Sequence, residues 1–543
     1  MVRIKKVLLI FFTFIFLVLS IAGCKQQDQG QNLTPRTGTL RNQPKIIRAG
    51  FLEEVRSLDP VMVKTFAEIQ IAKALYEGLF TYDGITGEPV PDLVEEWSLD
   101  DEGIIYSFTL KKGVKFHSGR HMTAGDVKYS WERMLRKEHP YDLFSAFSQI
   151  TGAREFLEGK KPEVTGIRVL DDGLLQVQLE SPNSGFLEYL THPGASILDM
   201  QVVELLGERY GTPGTYLTPA PALVGTGPFS FVEWIHQRHL TVQRFTQYHG
   251  ELSSANRLEF HFYADLESLW ADWQGEYLDM GFAGSLSEDA GTSPGRLFEP
   301  VLGNEVIFLG FNPGQKPFDL LELRQAISYA MDRNSLAAGE TGGRPMEGLL
   351  PRQLLQGRSP LLSYRYDPQK ARQLLETENL QTVRERGLAL AYPLVGSLPS
   401  LAERIKAQLE AVGLTVTLQS FPEESFVQAL KAGDLGFYLY GWPISVPLAE
   451  SFLDANLYFP GYHFSTGLFD QAFYELREFI QSRAETDRDR RESLLQMERM
   501  IMNQAPVITL LEKRNHLTIQ PGVEVNVEVS EGTVSWGKLS LKK

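Results

Sequence analysis

Residues 91–135 read PDLVEEWSLDDEGIIYSFTLKKGVKFHSGRHMTAGDVKYSWERML, and their pattern sets the fold class. Asp100, Asp101, Glu102 and Gly103 are a turn signal. After them, 104–110 alternates apolar and polar residues with the period of a half-buried strand. Lys112 and Gly113 make a second turn ahead of a short strand at 114–116. Thr123 stands where a helix needs an N-cap, and Val127, Ser130, Trp131, Met134 and Leu135 fall on one face of a helix over 126–135. Strands and an amphipathic helix in one short stretch point to a mixed α/β chain.

The same alternation extends outward in both directions. Upstream, 46–51 reads as a strand, Leu58, Asp59 and Pro60 as a turn, and 67–76 as a helix on the spacing of Ile69, Ala72 and Tyr76. Downstream, 388–392 reads as a strand and 401–413 as a helix. In that helix Leu401, Ile405, Leu409 and Val412 lie on one face, and Gly413 closes it. A strand at 414–418 completes a β-α-β unit, which needs parallel strands and a crossover. A helix over 424–432 leads into the apolar run 435–442. A charged helix near 487–503, with Leu494, Met497 and Ile501 on its apolar side, stops before Pro506, and a strand at 507–511 follows.

Composition narrows the function classes. The chain has 543 residues, a net charge of −15, 43% apolar and 22% charged residues, as a globular protein of several domains would. Its acidity argues against a nucleic-acid partner. Arg3, Lys5 and Lys6 precede an apolar run over 7–19 that is too short to be an ordinary membrane span and matches a signal-peptide core. Residues 25–45 contain almost no apolar side chain and read as a flexible tether. The run ends in Ile21, Ala22, Gly23 and Cys24, and Cys24 is the one cysteine of the chain, so no disulfide within the chain is available to stabilise it.

These motifs together resemble the extracytoplasmic solute-binding proteins of family 5, the oligopeptide, dipeptide and nickel class that feeds ABC importers. The resemblance rests on Leu58-Asp59-Pro60, Tyr76-Glu77-Gly78-Leu79, the 91–135 stretch, Thr191-His192-Pro193, Gly225-Thr226-Gly227-Pro228-Phe229 and FDLLELRQAISYAMDR at 318–333. It implies a periplasmic-binding-protein-like two-domain hinge fold with an additional lobe. Domain I would take 46–80, 199–302 and 505–543, the extra lobe 81–198, and the second main domain 303–504. The Ile-Ala-Gly-Cys tetrapeptide resembles a lipoprotein signal, so the resemblance also implies removal of 1–23, lipid on Cys24 and an extracytoplasmic, membrane-held monomer. Its partners would be a small solute, foremost a peptide, and the permease subunits of an ABC transporter.

In peptide-binding members the ligand lies between the domains as an added strand. By resemblance the segment 436–445 lines that site, with Tyr440, Trp442 and Ser445 as candidate contacts. Gly441 and Trp442 match the family pattern, but the aspartate that pairs with a ligand ammonium is replaced by Ser445. A neutral hydroxyl is a poorer partner for a desolvated ammonium than a carboxylate. Lys64 and Phe66, just beyond the Leu-Asp-Pro turn, and Asn312, after the strand 307–311, are further candidate contacts. The alternative readings are core packing for Trp442 and Tyr440, a solvated surface lysine for Lys64 and a turn former for Asn312.

No cofactor and no metal site is expected. His236 with His239, and His117 with His121, lack a third ligand at usable spacing. No G-x-S-x-G or H-E-x-x-H motif occurs, so an exported hydrolase is the weak alternative. The closer alternatives are a receptor of the same fold for a non-peptide ligand, such as a metal chelate or a sugar, and a signalling or chaperone protein not coupled to import.

Overall fold

Ile46–Phe51, the first described strand, is a core strand flanked on both sides by strands from far along the chain. It pairs in parallel with Arg257–Phe262 and with Met280–Ala283. The seven-stranded sheet built on it runs Arg296–Phe298, His516–Ile519, Met280–Ala283, Ile46–Phe51, Arg257–Phe262, His239–Arg244, Phe229–Ile235. The computed structural model describes residues 45–541 except 53, 64, 84–87, 137–145, 213–222, 284–295, 299–304, 341, 347, 352–353, 355–363, 445–448, 450–470, 483–486 and 525–533. Cys24, residues 25–44 of the tether, Lys64 and Ser445 lie outside the described residues.

A second sheet has six strands in the order Gly343–Pro345, Val507–Lys513, Glu305–Phe311, Phe437–Pro443, Leu388–Pro393, Val416–Phe421. The expected β-α-β unit is here: Leu388–Pro393 and Val416–Phe421 are parallel neighbours joined through the helix Leu398–Ala411. Apolar cores form on both faces of this sheet. One expectation is corrected. The division that gave all of 505–543 to domain I fails at its start, because Val507–Lys513 pairs with Glu305–Phe311 and Gly343–Pro345 in the second sheet. The physical reason is its composition. VITLLEK is buried along nearly its whole length, and such a run needs cover on both faces. The chain returns to the first sheet only at His516.

The lobe is a four-stranded antiparallel sheet, Val94–Leu99, Ile105–Leu110, Leu174–Gln178, Ile167–Asp171, covered by the helix Ala124–Arg136. Phe108, Trp131, Phe147 and Phe186 fill its core. Buried ion pairs tie the lobe to the first sheet's layer. Arg133 donates to both carboxylate oxygens of Asp59, at 3.0 and 2.5 Å, and Asp59 also caps the 3-10 turn Pro60–Met62. Arg120 bridges Asp126, at the start of the lobe helix, and Asp199, the cap of the helix Met200–Leu206. Removing one partner of such a pair leaves a buried charge and costs roughly 3–5 kcal/mol.

Gly225 and Gly227 are required by close contact. A Cβ on Gly225 would come 2.1 Å from the Leu75 carbonyl oxygen, so only glycine lets this loop close against the end of the helix Phe66–Leu75. His117 fastens the same loop. Its Nε2 bonds the Gly227 carbonyl at 2.9 Å, and its Nδ1 accepts from the Gly225 N–H at 3.3 Å. That pairing requires a neutral ring. Burial pushes His117 down from 6.5 to about 4. Because the depressed value belongs to the folded state, this stability is complete above about pH 6.5 and is lost as pH falls towards 4. Thermal unfolding of a His117→Gln variant should therefore lose less stability than the parent between pH 6.5 and 4. Equal slopes for the two proteins would contradict this account.

Candidate functional site

The strand Phe437–Pro443 carries Gly441 and Trp442 through the middle of the second sheet. It pairs with Glu305–Phe311 along its whole length, and with Leu388–Pro393 only at Ala391 opposite Tyr438. Alternation puts Tyr438, Tyr440 and Trp442 on one face, with Phe308 opposite Tyr440 and Val306 opposite Trp442. Gly310 makes room for this row, since a Cβ there would lie 2.2 Å from the Tyr438 ring.

The helix Glu423–Ala432 lies over the same row. Its Phe426 ring centroid sits 5.2 Å from that of Tyr440, and Tyr440 is 6.5 Å from Trp442. One turn back along that helix, Glu423 pairs at 2.8 Å with Arg56, which belongs to the first sheet's layer just before the Leu-Asp-Pro turn. The aromatic row thus begins where the two large units meet. The ion pair there is largely exposed and is worth about 0–1 kcal/mol, a contact that can break and re-form cheaply.

The structure sorts the candidate residues unevenly. Tyr440 is half-buried and stands in the row. Trp442 is only 9% exposed, pairs across the sheet with Val306 and belongs to the same buried cluster as Ile444 and Met497, so its indole is part of the core. Phe66 opens the helix Phe66–Leu75 behind the Thr65 and Glu68 capping box, and its ring packs 5.4 Å from that of Phe282 in the first core. Asn312 is committed to the scaffold. Its Nδ2 donates to the Gly433 carbonyl, and its Oδ1 accepts from the Gly314 N–H, so it acts as the turn former. Of the discounted histidines, His117 holds backbone as described, while His236 pairs with Glu54 and His239 with Glu233.

Glu305 is a residue that sequence spacing did not bring forward. Its carboxylate lies directly over Gly441, where any Cβ would collide with it. The antiparallel register between Glu305–Phe311 and Phe437–Pro443 makes this approach, and no local spacing in the sequence reports it.

Comparison with known proteins agrees with this architecture. Residues 88–462 match the model of the bacterial extracellular solute-binding proteins, family 5 middle region. The dipeptide-binding protein of Escherichia coli (strain K12) is 25% identical over 80% of this chain and 83% of its own length. Heme-binding protein A of Haemophilus influenzae is 26% identical over 78% of this chain and 79% of its own. Among solved structures, Haemophilus influenzae OppA in complex with RPPGFSPFR superposes with a TM-score of 0.75 at 20% identity, covering 92% of this chain and all of that one. Among the described residues no helix is long and apolar enough to cross a membrane. The fold is the α/β architecture of these receptors, and the chain belongs to family 5 of the bacterial extracellular solute-binding proteins.

Proposed function

We propose that this chain captures peptides between its two large units and hands them to the permease of an ABC importer. The observation that carries the reading is the strand Phe437–Pro443. It bears the family's Gly-Trp pair and is bridged to Leu388–Pro393 at one position, Ala391 opposite Tyr438. It also runs beside an aromatic row that meets the first unit at Arg56 and Glu423. A ligand backbone entering as an added strand draws its affinity from main-chain groups, which explains tolerance of many side chains. Two relatives with peptide-binding names or bound peptide support the same class. Closing and opening would occur about the short connections between the sheets, one of them only Arg514 and Asn515 between Lys513 and His516. In this division 46–80, 199–302 and the chain from 516 onward form the first domain, 81–198 the lobe and 303–513 the second domain.

Ser445 still lacks the charge that a ligand ammonium asks for. The Glu305 carboxylate over Gly441 puts a negative group against the strand that carries the Gly-Trp pair. The role is capture and release, not catalysis. A relative named for heme favours a second reading, a non-peptide solute in the same cleft.

Titration calorimetry with short peptides tests both. Saturable binding is expected, weakened roughly tenfold by Tyr440→Ala, about the loss of one well-packed aromatic contact. Glu305→Gln should remove the preference for a free over an acetylated N-terminus. Binding of heme but of no peptide would favour the second reading. Trp442→Ala is a poor probe here. Truncating a packed indole costs about 3–5 kcal/mol of core stability whatever it does to the ligand.

Lipid on Cys24 would hold the receptor at the membrane, with 25–45 as its tether. Cys24→Ser should move the protein from the membrane fraction to the soluble one, read by fractionation and immunoblot. A cleaved Cys24→Ser protein that stayed with the membrane would contradict the anchor.

A further inference from the structure

Three residues far apart in sequence meet where the lobe joins the first unit. Glu77 follows the helix Phe66–Leu75, Asp92 follows the strand Pro89–Pro91, and His249 lies in the loop after the strand His239–Arg244. Each offers one donor atom, and the three atoms lie within 4.8 Å of one another. The Glu77 Oε2 to His249 Nδ1 distance is 3.8 Å, too long for a hydrogen bond.

The polar accounting at this point does not close. Glu77 is 7% exposed, and while its Oε1 accepts from the Tyr248 hydroxyl at 2.5 Å, its Oε2 has no hydrogen-bond partner. His249 Nδ1 is buried without one as well, and the hydroxyl of Thr226 stands beside the same carboxyl. Unsatisfied buried polar atoms are costly and uncommon, and two that face each other, Glu77 Oε2 and His249 Nδ1, mark a place for an occupant. A water could bridge them. It would leave two carboxylates facing each other with Lys111 the nearby cation, whereas a metal ion answers both charges and also uses the imidazole lone pair.

From this geometry we infer that Glu77, Asp92 and His249 form a binding site for a first-row divalent cation of the zinc type, pinning the lobe to the first unit. One imidazole and two carboxylates, completed by water, is a donor set that zinc accepts. Metal–ligand bonds of about 2.0–2.2 Å require the donors to draw in by roughly 1 Å. Asp92 and His249 are half-buried and have room to turn, and they leave the ion a way in from solvent. The electrostatics agree. Glu77 is pushed well above the usual carboxylate range, first by burial and then by Asp92, the situation a cation relieves. Burial, and next Lys111, push His249 down to about 4, so its ring is neutral and able to ligate.

The test is zinc chloride titrated into the purified full chain after chelator treatment, read by calorimetry and by thermal unfolding. Expected is saturable binding near one zinc per chain with a raised Tm. Asp92→Asn and His249→Gln, both close in size to the parent side chains, should each weaken it at least tenfold. His236→Ala, which alters an exposed imidazole beside Glu54, should leave it unchanged. Lys111→Met should tighten it, a gain that a purely structural role for the cluster would not produce. The proposal is overturned if the parent shows no zinc-dependent shift, or if Asp92→Asn and His249→Gln bind zinc as the parent does. In either case the space holds water only. If those two variants do not fold, the Lys111→Met comparison decides, and unchanged affinity there overturns the site.

Discussion

The ion pair between Asp59 and Arg133 is the constraint on which the arrangement of the lobe depends. Asp59 is 2% exposed and at once caps the turn Pro60–Met62 and receives both guanidinium hydrogen bonds. The cost of burying charge there is offset only if the partner is held in one geometry, and the lobe helix Ala124–Arg136 holds it. Two sequence motifs separated by the whole front of the lobe, Leu-Asp-Pro and Ser-Trp-Glu-Arg, are therefore two halves of one contact. Arg120, shared between Asp126 and Asp199, repeats the device where the chain leaves the lobe. The lobe is fastened at its entry and its exit by desolvated charge.

The junction between the two large units is built on the opposite principle. The contact seen there, Arg56 with Glu423, is exposed and weak, and the segment that follows Lys513 crosses between the sheets in two residues. Strong, dry ion pairs hold the lobe to the first unit, while a wet one touches across the cleft. A receptor that must close on a ligand and let it go needs both. The aromatic row of Phe308, Tyr440 and Phe426 lies where the second, looser contact begins.

Much of this was legible in the sequence because it is local. Alternation gave the strand that the structure draws as Ile105–Leu110, and helical spacing gave Ala124–Arg136 and Leu398–Ala411. Local patterns carry no information on which sheet a fully apolar strand joins. Val507–Lys513 was for that reason assigned to the wrong unit: a run buried on both faces fits any sheet centre. Burial was equally hidden for Trp442, whose motif says where the strand is but not that the indole turns into the core. The Gly441 and Glu305 approach and the meeting of Glu77, Asp92 and His249 depend on pairings over long separations. A search for ligands at short spacing passes over them.

The central claim is that the cleft beside Tyr440 takes peptides by their main chain. Native mass spectrometry of the purified protein, followed by release under denaturing conditions of whatever travels with it, tests this most directly. The account requires a spread of co-purifying peptides of related length and unrelated sequence, since main-chain pairing ignores side chains. A single non-peptide mass would contradict it and would make Ser445 the mark of a different ligand class.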